Sequence, residues 1–262
     1  MRDEPYRWIE AIRDRREYIE DQLSQGSPVV GLSYDDGMLL LTVSRGQRKI
    51  FEVHNRIAMS AMGRAADIER LRELVTDHAS IQGFQHSVDD VTLHRMTNFV
   101  LAPVITQAFE AIFGSTYILK MLLVELGTRG GENQFISMNY DGSMRASPRA
   151  EVIGGTEAIE TGMKNHLSAS DSEERSLDSA VRLALGTWAI GRDLSLQADD
   201  LSEDDEQKIE SQFDEDQLRD ILKKELEDGQ IEGGVLDTSR RSNSKFRLLH
   251  SGEIESAIAD WL

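Results

Sequence analysis

Apolar positions along this chain change their period several times, and each change marks an element. In residues 7–25, RWIEAIRDRREYIEDQLSQ, the side chains of Trp8, Ile9, Ile12, Ile19 and Leu23 fall near one face of a helix, and charges crowd the other. Gly26 and Pro28 end it, since glycine accepts a left-handed cap and proline cannot extend a helix. Two short apolar runs follow, PVVGLSY and GMLLLTV, and the Asp35-Asp36-Gly37 between them is a hairpin signal. KIFEVH and RIAMSAM form a second strand pair around Asn55. After Gly63 the period lengthens to about 3.6, with Ala66, Ile68, Leu71, Leu74 and Val75 predicting a helix over 64–80. Ser87 and Asp90 resemble a capping box opening a further helix, LHRMTNFVLAPVITQAFEAIF, which Pro103 is expected to bend.

Strands resume at YILKMLLVEL, QFISMNY and AEVIGG, with a turn at Asp141-Gly142. Gly154-Gly155-Thr156-Glu157 opens a helix ending near His166, and SLDSAVRLALGTWAI reads as a longer one. Ile209, Phe213, Leu218, Leu222 and Leu226 give the next stretch a helical pattern of its own, and the chain ends in IEGGVLDT, KFRLLH and a short helix over EIESAIADWL. Strand runs alternating with helix pairs predict an α+β fold of two stacked sheets with helices on both outer faces. The whole of 1–262 reads as a single domain, with an insertion near 195–229.

The 262 residues, 39% of them hydrophobic, suffice for a sizeable core. No apolar run approaches the roughly 18 residues of a membrane span, and the charged N-terminus lacks an apolar signal region, so a soluble cytoplasmic protein is expected. Cysteine is absent, which excludes disulfides and thiolate metal sites. A net charge of −18 repels phosphate backbones and argues against nucleic-acid binding. The charge is uneven: residues 199–228 hold fourteen acidic side chains and four basic ones, the mark of a solvated segment first and a partner surface second.

No motif announces catalysis. His54, His78, His86, His94, His166 and His250 show no metal-ligand spacing, and a break between helices separates His78, His86 and His94. Gly154-Gly155-Thr156 could hold an anion at a helix N-terminus, but it lacks the further residues of a dinucleotide or P-loop fingerprint, and a tight turn capped by Thr156 explains it better. There is no G-x-S-x-G elbow and no Cys–His pair, and no cofactor is implied.

Several stretches, in this order and spacing, resemble the proteasome subunit family, closest to α subunits of the actinobacterial type. RDRREYIEDQLSQGSPVVGLSYDDGMLL carries the Glu17-Tyr18 pair of an α-subunit helix running into the first hairpin. GQRKIFEVHNRIAMSAMGRAADIERLR is similar to the family's lysine, two strands, glycine and helix opening. QFISMNYDGS, AEVIGGTEAIETGMKNHL and SLDSAVRLAL match later elements. The resemblance implies a four-layer αββα sandwich, the N-terminal nucleophile hydrolase fold, with a ring-packing helix at 7–25 in front of it.

It also implies roles. Catalytic β subunits of the family expose an N-terminal Thr supported by an Asp and a Lys; those positions fall on Ser27, Val43 and Lys49, so only the lysine survives. The resemblance therefore implies a non-catalytic α subunit of a 20S core particle. Such a subunit forms homoheptameric rings through its helix (here Trp8, Ile12 and Ile19) on rings of a catalytic β-type subunit. Lys49, with Glu17 and Gly63, would line a pocket between neighbours that takes the C-terminal carboxylate of an AAA+ ATPase activator. Glu17 could pair with a neighbour's Lys49 when that pocket is empty. Met1, Arg2, Asp3, Glu4, Pro5 and Tyr6 would form a gate over the pore, although the Tyr-Asp-Arg triplet of archaeal and eukaryotic gates is missing. The 195–229 insertion, where actinobacterial relatives carry a short Gly-rich loop, is expected to place an amphipathic helix on the particle's outer surface. Two alternatives stay open: a self-processing hydrolase using Ser27 or another residue, and a stand-alone ring scaffold without a β partner.

Overall fold

A computed structural model of the chain describes residues 4–111, 114–127, 131–170, 175–198, 214–259 and 261. Helix α1 (Glu4–Ser24) leads into β1 (Val29–Tyr34), β2 (Gly37–Ser44), β3 (Ile50–His54) and β4 (Ile57–Gly63). Helix α2 (Ala65–Gln85) follows, then α3 (Leu93–Arg95), a π-helical segment over Met96–Leu101, and α4 (Ala102–Glu110). Strands β5 (Leu119–Glu125), β6 (Gln134–Met138), β7 (Met144–Ser147) and β8 (Ala150–Ile153) precede α5 (Glu157–Ala169), α6 (Leu177–Ala198) and α7 (Glu215–Leu226). The chain closes with β9 (Gln230–Asp237), β10 (Phe246–Leu248) and α8 (Ser251–Ile258).

The strands form two antiparallel five-stranded sheets, ordered β10-β9-β2-β1-β8 and β3-β4-β5-β6-β7. Strands alternate side chains between faces, and here both faces are apolar. Along β2, Met38 and Leu40 enter the layer between the sheets, whereas Leu39, Leu41 and Val43 face α5, α6 and α7. On the other sheet Leu122 and Val124 of β5 point inward, and Met121 and Leu123 meet the residues of α2 and α4. Each sheet is thus buried on both sides, which sets four layers, helix–sheet–sheet–helix, as the fold expected above.

Four features differ from the sequence expectations. Helix α1 begins at Glu4 rather than residue 7, so Glu4, Pro5 and Tyr6 are helical; Met1, Arg2 and Asp3 lie outside the described residues. Ser87 caps a short 3-10 turn, its hydroxyl accepting from Asp89 N at 3.3 Å, and Thr92 caps the helix that follows. Pro103, which has no N–H to give, sits in the first turn of α4 directly after the π-helical segment, where the hydrogen-bond register shifts. The fourth concerns the insertion. Ile209 and Phe213 lie outside the described residues, but Leu218 and Leu222 are buried against the α6 layer, which makes α7 part of the body's core.

Candidate functional site

The end of α1 lies across the mouth between the sheets because its apolar residues have a seat there. Ile19 and Leu23 are fully buried with Phe109, Ile118 and Tyr140, and Ile12 packs on the edge of that cluster. Tyr140 donates its hydroxyl to Glu20 Oε1 at 2.6 Å, Arg16 stacks over the Phe109 ring, and Arg15 donates to the Phe109 carbonyl. Ile19, expected to face a neighbouring subunit, therefore seats the helix on its own protomer. Among the described side chains of α1, Ile9 and Tyr18, 58% and 53% exposed, are the large hydrophobic ones left in solvent. The Trp8 side chain lies outside the described residues.

Beside this helix end is a cavity of about 350 Å³. Gln22 comes from the last turn of α1, and Gln25, Gly26 and Ser27 from the link to β1. Val43, Arg45, Gln47 and Lys49 come from the end of β2 and its loop, Gly63 from the end of β4, Arg192 from α6 and Glu225 from α7. The structure thus brings Lys49 and Gly63 together, whereas Glu17 is exposed on α1 and is not among the lining residues.

Each member is held by something local. The Lys49 backbone N–H donates to both oxygens of Glu232 on β9 at 3.0 Å, and the Ile50 N–H to one of them at 2.9 Å. Burial pushes the Lys49 ammonium to a lower pKa than usual, against the opposing pull of the Glu232 charge. That ammonium has no hydrogen bond or ion pair among the described residues. Gly63 has φ +126°, and a Cβ there would sit 2.2 Å from the Ile118 carbonyl oxygen, so only glycine fits. Across the cavity Glu225 bridges two guanidiniums, Arg45 at 2.9 Å and Arg192 at 2.8 Å.

Ser27 is placed for structure. Its hydroxyl donates to the Val43 carbonyl at 2.6 Å, lies 3.2 Å from Thr42 Oγ1, and accepts the Trp188 indole N–H at 3.0 Å. Val43 supplies no carboxylate, and the Ser27 nitrogen is in peptide linkage to Gly26. A hydroxyl nucleophile needs an adjacent base, and none is in contact with Ser27 among the described residues.

The glycine turn at 154–155 also has a packing reason. A Cβ on Gly155 would lie 2.8 Å from the Ser24 Cα, so the backbones meet where α1 ends. The Gly154 carbonyl accepts from the buried Lys120 Nζ at 2.8 Å, Lys120 pairs with Glu160 at the same distance, and Thr156 caps α5. That ion pair borders a second cavity of about 410 Å³ on the β6–β7 side. A lysine inside the apolar run YILKMLLVEL was its sequence signal. Arg192, amid the apolar positions of α6, was the comparable clue to the arginine pair. Among the described residues no three metal-ligating side chains converge.

Comparison with known proteins extends the picture. The sequence model of the family described as "Proteasome subunit" matches residues 23–193. The chain is 30% identical over 193 residues to the proteasome subunit alpha of Thermomonospora curvata, covering 71% of this chain and 81% of that one. It is 31% identical over 188 residues to the proteasome subunit alpha of Rhodococcus erythropolis, covering 69% and 70%. A 28% identical match to the proteasome subunit alpha of Xylanimonas cellulosilytica extends over 253 residues, 93% of this chain and 90% of the relative.

Proposed function

Because the chain belongs to the proteasome subunit family, among its α-type members, we propose that it is the non-catalytic outer-ring subunit of a 20S core particle. It assembles as a homoheptameric ring on rings of a catalytic β-type subunit. Its N-terminal end, Met1 to Tyr6, stands over the pore and gates it, the last three of those residues already belonging to α1. The cavity beside α1 docks an AAA+ ATPase ring in the cytoplasm, with Lys49 receiving the carboxylate at the end of an activator tail. Proteins threaded by that ATPase then pass to the β subunits for cleavage.

The observation that supports this reading best is the state of the cavity. The position of a nucleophile, Ser27, is filled by a hydroxyl tied to a backbone carbonyl and an indole. Beside it, Lys49 offers an ammonium that feels the Glu232 charge but makes no hydrogen bond or ion pair among the described residues. The pairing suits capture of a carboxylate, and among the described residues no base is in hydrogen-bond contact with Ser27. Ile9 and Tyr18 on α1 give a neighbouring subunit apolar surface to cover.

Co-expression with a β-type subunit, followed by negative-stain electron microscopy, tests the proposal. A four-layered barrel with seven-fold outer rings is expected, with peptide cleavage that depends wholly on the β chain. Rings should fail to form when residues 4–24 are removed. A chain that stays monomeric beside its β partner, or cleaves peptides alone, overturns the reading.

A further inference from the structure

Arg45, Lys49 and Arg192 line the cavity beside α1, and Glu225 is the acid among its lining residues. Three positive groups against one negative leave the lining net positive, in a chain whose total charge is −18. Glu232, whose charge reaches Lys49, stands behind that lining with its oxygens taken by the Lys49 and Ile50 backbone N–H groups. A guanidinium carries five N–H donors in a planar fork that can grip a carboxylate through two of them at once. Glu225 takes one nitrogen from each arginine, Nη2 of Arg45 at 2.9 Å and Nε of Arg192 at 2.8 Å. Both Nη atoms of Arg192, the end of its fork, make no hydrogen bond among the described residues, and neither do Nε and Nη1 of Arg45. The Arg192 side chain is 12% exposed, so its open donors have little bulk water to turn to. An anion in such an enclosed site feels these charges far more strongly than in water.

Resting on the reading that Lys49 takes a chain-end carboxylate, we infer that the Arg45–Arg192 pair is a second anion subsite of the same cavity, which takes an acidic side chain from the last two residues of the docked tail. The preferred ligand is a peptide end with two negative charges. Its terminal carboxylate meets the Lys49 ammonium, and its Asp or Glu side chain meets the guanidinium donors that Glu225 leaves open. Glu225 tethers both arginines, and its single charge reduces their pull without cancelling it. Arg192 lies on α6 and Glu225 on α7, so the subsite joins the helical layer to the loop after β2 that carries Arg45 and Lys49.

The test is fluorescence anisotropy on assembled rings. The probes are fluoresceinyl-Gly-Gly-Gln-Leu, fluoresceinyl-Gly-Gly-Glu-Leu and fluoresceinyl-Gly-Gly-Gln-Glu as free acids, and the first also as its C-terminal amide. In wild-type rings the tighter of the two Glu-containing acidic peptides should bind about fivefold better than the neutral one, or more. Arg192→Gln and Arg45→Gln should each shrink that ratio, since each removes a fork and leaves Glu225 less compensated. Glu225→Gln, which takes away the competing carboxylate, should enlarge it. Acidic peptides that bind no better than the neutral one overturn the inference, and so does a ratio that Arg45→Gln leaves unchanged. Arg45 is the deciding variant if replacing the enclosed Arg192 costs the rings, because the Arg45 side chain is 59% exposed. Lys49→Gln separates this inference from the reading beneath it. If the neutral acid and its amide bind alike with and without Lys49, the carboxylate reading fails and this inference with it. If Lys49→Gln abolishes a clear preference for acid over amide while the acidic peptides gain nothing over the neutral one, only the second subsite falls.

Discussion

Lys49 is a cation in an enclosed place, and its titration follows from that. Burial lowers its pKa from 10.5, and the Glu232 charge offsets this only in part. A bound carboxylate favours the charged ammonium, so binding is complete below the lowered pKa and weakens as pH rises through it. Affinity for a free-acid peptide should therefore begin to fall at a pH below 10.5, measured by anisotropy across an alkaline series. Lys49→Gln should bind weakly and give a flat profile over the same range; a wild-type profile equally flat would refute the role of the ammonium. Lys49 and Gly63 were legible in the sequence because each lies within one unbroken family-like stretch, GQRKIFEVHNRIAMSAMG. Arg192 and Glu225 were not, because what joins them is the packing of α7 on α6 across residues 199–213, and neither segment carries that pairing in its local pattern.

Elements show the same division between periodicity and packing. The leucines of the 195–229 stretch gave a helix in the sequence, but its charge pointed to a solvated appendage. The structure resolves that conflict on the two faces of α7: Leu218 and Leu222 are 3% and 0% exposed, while Glu215 and Asp216 remain in solvent. Helices of this kind are held mainly by their apolar face. Leu222→Ala should thus cost about 2–5 kcal/mol, by loss of transfer energy and the cavity left behind. In the same variant, hydrogen-exchange protection of α7 should fall before that of β1 and β2. A change within about 0.5 kcal/mol, the usual range for a surface position, would return α7 to the status of an appendage. The boundary of α1 was missed for a related reason. Glu4 to Tyr6 carry no apolar repeat, so the sequence pattern starts only at residue 7 although the helix starts earlier.

At the scale of the molecule, two stacked sheets under helices were readable from strand runs alternating with helix pairs, and the family resemblance implied the αββα layering; the structure adds that both faces of the central strands are apolar. The crossing from one sheet to the other was less so: β7, mostly exposed, extends the second sheet, and β8 joins the first beside β1. That crossing, with α1 packed against Gly155, leaves the mouth between the sheets occupied and Ser27 inside a continuous chain. Two results should follow if the molecule serves assembly and docking. The purified chain, incubated for days alone or with its β partner, should keep an intact mass that includes the residues before Ser27. Ser27→Ala should leave rings and β-dependent peptide cleavage as they are, while lowering stability by about 1–3 kcal/mol, because the buried Trp188 N–H loses its acceptor. Calorimetry and a peptidase assay on the same preparation separate the two effects. A product beginning at Ser27, or cleavage that drops in Ser27→Ala while the β chain is unaltered, would move the chemistry into this chain and bring back the self-processing hydrolase.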